Sequence, residues 1–226
     1  MTIAQNILQV KNNIAHAAAQ SGRDGKDITL IAVTKTIAAA DICEAVRCGI
    51  TDVGENRSQE LMAKISQLPL DLSIHFIGQL QNNKVKYVIS RVAAVHSLDR
   101  LSLAKELQRQ CEKANTSINV FVQVNIGNES TKAGISQEEL PAFVSALQPF
   151  DALHVQGLMT VAPIAPEEVL RPLFLQMRNW NTRMEQLGFE HMPFHQLSMG
   201  MSGDYQTAIA CGATMVRVGT AIFGAR

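Results

Sequence analysis

Lys35 closes the run Thr29-Leu30-Ile31-Ala32-Val33-Thr34-Lys35, which sets an ammonium at the tip of an apolar segment patterned as a buried strand. Lysines at strand ends often snorkel to water, and the alternative is an amine held in a pocket for chemistry. The other end of the chain favours chemistry. Ser198-Met199-Gly200-Met201-Ser202-Gly203-Asp204 and Met215-Val216-Arg217-Val218-Gly219-Thr220 read as two anion-holding loops, one after each of the last two strands. An amine at one strand mouth and a phosphate site at two others suggest a phosphorylated aldehyde held as an imine. An imine requires a neutral amine, and an unperturbed lysine has a pKa of about 10.4. Burial and a neighbouring guanidinium would both favour the neutral form.

Supporting polar residues sit at comparable places. Gly54-Glu55-Asn56-Arg57 is expected after the second strand, and Gly78-Gln79-Leu80-Gln81-Asn82-Asn83-Lys84 after the third. Asn125 ends the fifth strand and Met159-Thr160 the sixth. Alternation puts Gln123 and Asn125 on one face of their strand, toward a barrel axis, and gives Arg217 an inward direction with Met215 and Gly219. Arg217 then either faces a ligand or pairs with a carboxylate such as Glu55, since a buried guanidinium needs partners. Ser202-Gly203-Asp204 is either an ordinary turn, with Asp204 capping the helix that follows, or part of a phosphate cradle.

The elements that must carry these residues alternate. Ile3, Ile7, Val10, Ile14 and Ala17 mark a leading amphipathic helix. Strands are expected at 28–34, 51–53, 74–77, 93–96, 118–125, 153–159, 195–198 and 215–218, with helical patterns between them. One such pattern is Leu103, Ala104, Leu107 and Cys111; another runs through Leu170, Leu173, Phe174, Met177, Trp180, Met184 and Leu187, opened by Pro166. Eight parallel βα units close a barrel whose functional residues lie at the C-terminal strand ends. The expected fold is α/β, a single (β/α)8 TIM-type barrel with a leading N-terminal helix, spanning 1–226 as one domain. The stretch 219–226 is too short for a long last helix, so the leading helix is expected to cover that wall.

Twenty basic and 20 acidic residues cancel without blocks of either sign, which removes the electrostatic ground for nucleic acid or an anionic membrane as partner. No signal peptide or membrane-length apolar run is visible. Cys43, Cys48, Cys111 and Cys211 are scattered, as in a reducing compartment, and the expected address is cytoplasmic. His75 and His154 read as core or wall residues. Pro193 separates His191 from His195, and no metal site is expected.

The same blocks resemble the pyridoxal phosphate homeostasis proteins, relatives of the alanine racemase barrel domain. They are Ala32-Val33-Thr34-Lys35, Gly54-Glu55-Asn56, His75-Phe76-Ile77-Gly78 with Leu80-Gln81 and Asn83-Lys84, Lys132-Ala133-Gly134, and Gly157-Leu158-Met159. The longest are Leu197 to Ser202 and Met215 to Gly224. The resemblance implies a single barrel that carries pyridoxal 5′-phosphate (PLP) as a lysine imine. It assigns Lys35 to the imine, Ser202, Gly219 and Thr220 to the phosphate, Arg217 to the pyridine nitrogen, and Asn56 and Met159 to the ring. Two positions depart from the family pattern: Ile37, where a second lysine is frequent, and Arg57, where tyrosine is frequent.

The function this implies is intracellular vitamin B6 homeostasis by a monomer that holds PLP, and hands it on to PLP-dependent apo-enzymes, without robust turnover and with no catalytic residue. The alternative is a PLP-dependent amino-acid racemase, for which an arginine at the ring nitrogen is no obstacle. Racemisation through two bases needs a second base, which alanine racemase takes from a tyrosine of another domain across a dimer, and this chain has only Tyr87 and Tyr205. A cofactor-free aldolase using Lys35 is the third reading, and it would be colourless.

Overall fold

The computed structural model describes residues 1–129 and 131–224. Eight parallel strands form a closed barrel in sequence order. They are β1 (Thr29–Val33), β2 (Asp52–Glu55), β3 (Ser73–Phe76), β4 (Ala94–Leu98), β5 (Ile118–Gln123), β6 (Leu153–Met159), β7 (Gln196–Ser198) and β8 (Met215–Val218). β1 closes the ring on β8, with Ile31 opposite Arg217 and Ala32 opposite Val218. A helix follows every strand: α2 (Ala39–Arg47), α3 (Ser58–Lys64), α4 (Val85–Val88), α5 (Leu101–Ala114), α6 (Leu140–Ala146), α7 (Glu167–Glu185), α8 (Tyr205–Ala210) and α9 (Thr220–Phe223).

The leading helix α1 (Ile3–Gln20) starts at a reciprocal cap, in which Thr2 Oγ1 accepts from Gln5 N and Gln5 Oε1 accepts from Thr2 N. Its expected stripe buries Ile7, Val10, Ile14 and Ala17. α1 packs on α8 and α9, the wall that the short last helix leaves open, and Asn6 Nδ2 donates to Ile222 O at 2.8 Å. The α5 stripe Leu103, Ala104, Leu107 and Cys111 is wholly buried. In α7 the proline is the N-cap itself, and Leu187 lies past the helix end, exposed.

The barrel holds two kinds of interior. Ile31, Ala94, Phe121, Met159 and Met215 form a small apolar cluster on the inward strand faces, while Leu30, Ala32, Val53 and their outward neighbours pack under the helices. His75, His96, Ser198 and Arg217 occupy other inward positions, all buried. Strand limits differ from expectation at several ends. Gly54 and Glu55 belong to β2 rather than to the loop after it, because they pair with His75 and Phe76 of β3. β5 ends at Gln123, and the Asn125 side chain serves its own loop, donating to Glu129 O and accepting from Glu129 N. Gln123 is buried as expected, its amide bonded to Ala133 O. His154 is exposed on β6, not a core residue.

Candidate functional site

Arg217 is the buried centre of the site. Alternation along β8 turns it inward with Met215, and only 4 % of it is exposed. The pairing with Glu55 does not occur. Glu55 sits on the outward face of β2, where it accepts from Thr34 Oγ1 at 2.6 Å and Lys64 Nζ at 3.1 Å. Arg217 instead donates from Nη1 to Ser198 Oγ at 2.7 Å and from Nη2 to Thr160 O at 2.6 Å. Burial pushes its pKa down to about 10, against the pull of Asp204, so it stays a cation at neutral pH. Two of its five N–H groups are engaged, and among the described residues the others have no hydrogen-bond partner.

Above Arg217 the two final loops meet. Ser202 Oγ accepts from the amides of Gly219 at 3.1 Å and Ala221 at 3.3 Å. This brings together two amides and the Ser202 hydroxyl, next to exposed Thr220. Arg217 N donates to Gly200 O at 2.9 Å, which ties the first loop to β8. Gly200 has φ +97°, and a Cβ there would lie 2.7 Å from Ala208 Cβ, so glycine is required. A Cβ on Gly203 would meet nothing within 4 Å, leaving space beside the cradle. Asp204 occupies the N-cap position of α8 but does not cap it with its side chain. Its Oδ1 accepts from Met201 N and so tightens the loop instead.

Lys35 emerges from β1, whose register beside β8 carries it onto the rim that bears Gly219 and Thr220. It is exposed, so burial, one of the two influences that would favour a neutral amine, is not supplied by the protein itself. The residues on either side are fixed. Thr34 is fully buried, with Oγ1 on Glu55 and its carbonyl accepting from Lys64 Nζ at 2.9 Å. Thr36 adopts φ +64°, a costly conformation for a β-branched residue, and its amide donates to Glu60 Oε2 at 2.8 Å. Glu55, Glu60 and Lys64 thus clamp the backbone around Lys35, with Lys64 bridging both carboxylates. Ile37 packs partly buried against the core, and Arg57 is mostly exposed beside Glu60.

Met159 ends β6 fully buried in the interior cluster. Asn56 follows β2 and lines, with Arg57, Gln79, Gln81 and Lys84, a cavity of about 520 Å³ where the second and third loops meet. Asn56 Oδ1 is buried and has no hydrogen-bond partner among the described residues. A Cβ on Gly78 would lie 2.2 Å from Asn56 O, so that glycine sets how closely the two loops approach.

Sequence reasoning missed the groups beneath the site. His75 is a satisfied core residue, within the core-or-wall expectation, but its link to His96 and Ser198 is not visible in the sequence. Together they form a buried chain that ends on Arg217. A partial signal was present: each is a polar residue that strand alternation can turn inward, at a position where a barrel interior is usually apolar. Among the described residues no cluster of His, Cys, Asp or Glu could hold a metal, and no helix is long and apolar enough to cross a membrane.

Residues 6–226 match the family model described as alanine racemase, N-terminal domain. The pyridoxal phosphate homeostasis protein of Aquifex aeolicus is 39 % identical over 229 residues, covering 100 % of this chain and 99 % of its own. That of Pseudomonas aeruginosa is 40 % identical over 227 residues, covering 100 % and 96 %. A structure of PipY from Synechococcus elongatus with PLP bound superposes with a TM-score of 0.85 at 32 % identity, covering 99 % of this chain and 100 % of PipY. Alanine racemase from Corynebacterium glutamicum shares the fold, with a TM-score of 0.73 at 18 % identity over 60 % of its length. With its full length matched at this identity, the chain belongs to the pyridoxal phosphate homeostasis protein family, within the wider group of alanine racemase N-terminal-type barrels.

Proposed function

We propose that residues 1–226 act as one PLP-binding unit, a cytoplasmic monomer that holds the cofactor on Lys35, buffers it, and releases it to PLP-dependent apo-enzymes without amino-acid turnover. The observation that carries this reading is the donor set of the last two strands. Ser202 and Thr220 hydroxyls and the Gly219 and Ala221 amides suit a phosphate, and spare N–H groups of Arg217 suit a pyridine nitrogen. Asn56 Oδ1, buried and unpartnered, suits a ring substituent that donates. PLP, when bound as a lysine imine, supplies an electron sink. An arginine rather than an acid at its nitrogen keeps that nitrogen unprotonated and the sink weak.

The placement of the two tyrosines favours a carrier over a racemase. The Tyr205 hydroxyl accepts from Asn13 Nδ2 at 2.9 Å between α1 and α8. Tyr87 is partly exposed on α4, beside Lys84 and Lys86. Neither stands among the residues assigned to the cofactor.

Borohydride reduction of the PLP-loaded protein, followed by peptide mapping, tests the attachment. The pyridoxyl mass is expected on the Lys35 peptide, and label mainly on Lys84 or Lys132 would overturn it. Turnover is tested by solvent deuterium exchange at Cα of L-alanine. A carrier should exceed free PLP by no more than about tenfold, which is ~1.4 kcal/mol of barrier. Measurable D-alanine at ordinary enzyme rates would favour the racemase.

A further inference from the structure

Five side chains form a continuous chain through the barrel. Asp52 Oδ1 lies 3.0 Å from His75 Nε2, His75 Nδ1 2.9 Å from His96 Nε2, and His96 Nδ1 3.0 Å from Ser198 Oγ, which accepts from Arg217 Nη1. They come from β2, β3, β4, β7 and β8. Asp52 begins β2 and lines a cavity of about 520 Å³ with Thr29, Gly49 and Ile50, at the end of the barrel opposite Lys35. Its side chain is 19 % exposed, whereas His96 and Ser198 are fully buried. His96 also stacks on Phe121, with ring centroids 4.2 Å apart.

We infer that this chain has one fixed hydrogen-bond direction, from Arg217 through Ser198, His96 and His75 to Asp52, and that it positions Arg217 from the far end of the barrel. Each junction constrains the next. An ionised carboxylate only accepts, so His75 Nε2 carries a proton. With His75 neutral, its Nδ1 accepts, so His96 Nε2 must donate. His96 is neutral, so its Nδ1 accepts in turn, and the Ser198 hydroxyl hydrogen must point at it. That leaves the Ser198 lone pairs for the guanidinium. The reverse direction would need a third charge, on His75, within the chain that ends on Arg217, and would leave the Ser198 hydrogen without an acceptor among its partners. Arg217 makes no direct ion pair among the described residues, and a polarised chain ending on a carboxylate offsets part of its charge.

The direction of the chain is independent of any ligand, whereas its role rests on the proposed placement of Arg217 at the PLP nitrogen. Nitrogen-15 NMR of the imidazoles in the cofactor-free protein at pH 7.5 reads the direction. Both His75 and His96 are expected as Nε2–H tautomers. An Nδ1–H tautomer at His96, or a doubly protonated ring at either position, overturns the inference.

Asp52→Asn tests the far end and is the mildest change, because that end touches water. An amide can offer His75 either an oxygen or an N–H, so the Nδ1–H tautomer of His75 should rise about tenfold or more, the worth of a hydrogen bond to a carboxylate. Unchanged tautomers would refute the claim that Asp52 sets the direction. Loaded with PLP, Asp52→Asn should still be trapped on Lys35 by borohydride, but with a displaced visible band and weaker binding of the cofactor. Tautomers as expected with band and affinity unmoved would refute the positioning role. Failure to trap pyridoxyl on Lys35 in the unmutated chain would instead refute the carrier reading, and the role with it, while the tautomers still decide the direction.

Discussion

Ser202→Ala separates phosphate recognition from general damage. The hydroxyl accepts from Gly219 N and Ala221 N, so the substitution removes two backbone-to-side-chain bonds in the free protein. At a part-exposed site these are worth about 0.5–1.5 kcal/mol each at most, because water replaces them. Toward a phosphate the balance differs. A hydrogen bond from the hydroxyl to a charged oxygen contributes roughly 1.5–3 kcal/mol, which is about ten- to a hundredfold in affinity. The two freed amides no longer need to leave Ser202 before meeting the ligand, which recovers part of the loss. A net weakening of about tenfold for PLP is therefore expected, with almost none for pyridoxal, which lacks the phosphate. Thr220→Val should behave similarly. Equilibrium titration of both ligands, followed by absorbance, gives the four constants. Equal weakening of both ligands, or equal affinity in the unmutated chain, would mean that these loops do not hold the phosphate.

Burial holds His96 well below the ordinary histidine pKa, reinforced by His75 and Arg217, so the unfolded chain takes up a proton that the native one refuses. Stability from this group is complete above about pH 6.5 and should fall by up to about 1.4 kcal/mol per unit below it. Urea unfolding at pH 7.5, 6.5 and 5.5 should show that slope, and His96→Gln should flatten it. Lys64→Ala strands the Glu55 carboxylate, which is 1 % exposed, and should cost about 3 kcal/mol, with Glu55→Gln restoring part of it in the double variant. Burial raises the Cys111 thiol to about 11, so in the native protein a thiol reagent at pH 8 should label Cys43 and Cys48 well before Cys111.

The barrel was legible in the sequence because its signals are local. Strand runs, helix stripes and the order of βα units depend on neighbours in the chain, and β6 and β8 fall where alternation puts them. The inward direction of Arg217 followed from the same two-residue period. What was not legible depends on pairs distant in sequence. Glu55 could be read as a partner for Arg217 because no sequence rule shows that β2 turns it outward toward Lys64. The chain from Asp52 to Arg217 needs the closed ring to bring five strands within hydrogen-bonding distance. Whether Lys35 would snorkel or sit in a pocket could not be read from its strand, because the left-handed turn at Thr36 that carries the chain into solvent is not written in the apolar pattern.

Ring closure also sets an order of events during synthesis. β1 finds β2 early, but its other edge pairs with β8, and Asn6 bonds to Ile222, so one edge of the first strand and part of the first helix wait for the eighth βα unit. Until then β1 presents an open edge, and α1 has only α2 and the turn before β1 to pack on. Loop closure over so long a separation carries most of its entropic cost at the end. A ribosome-bound chain lacking β8 should therefore remain protease-sensitive throughout, including in α1, and protection should arrive in a single late step. The same closeness of α1 and α9 suits the barrel to circular permutation, with a linker joining these two helices and new ends opened in an exposed loop.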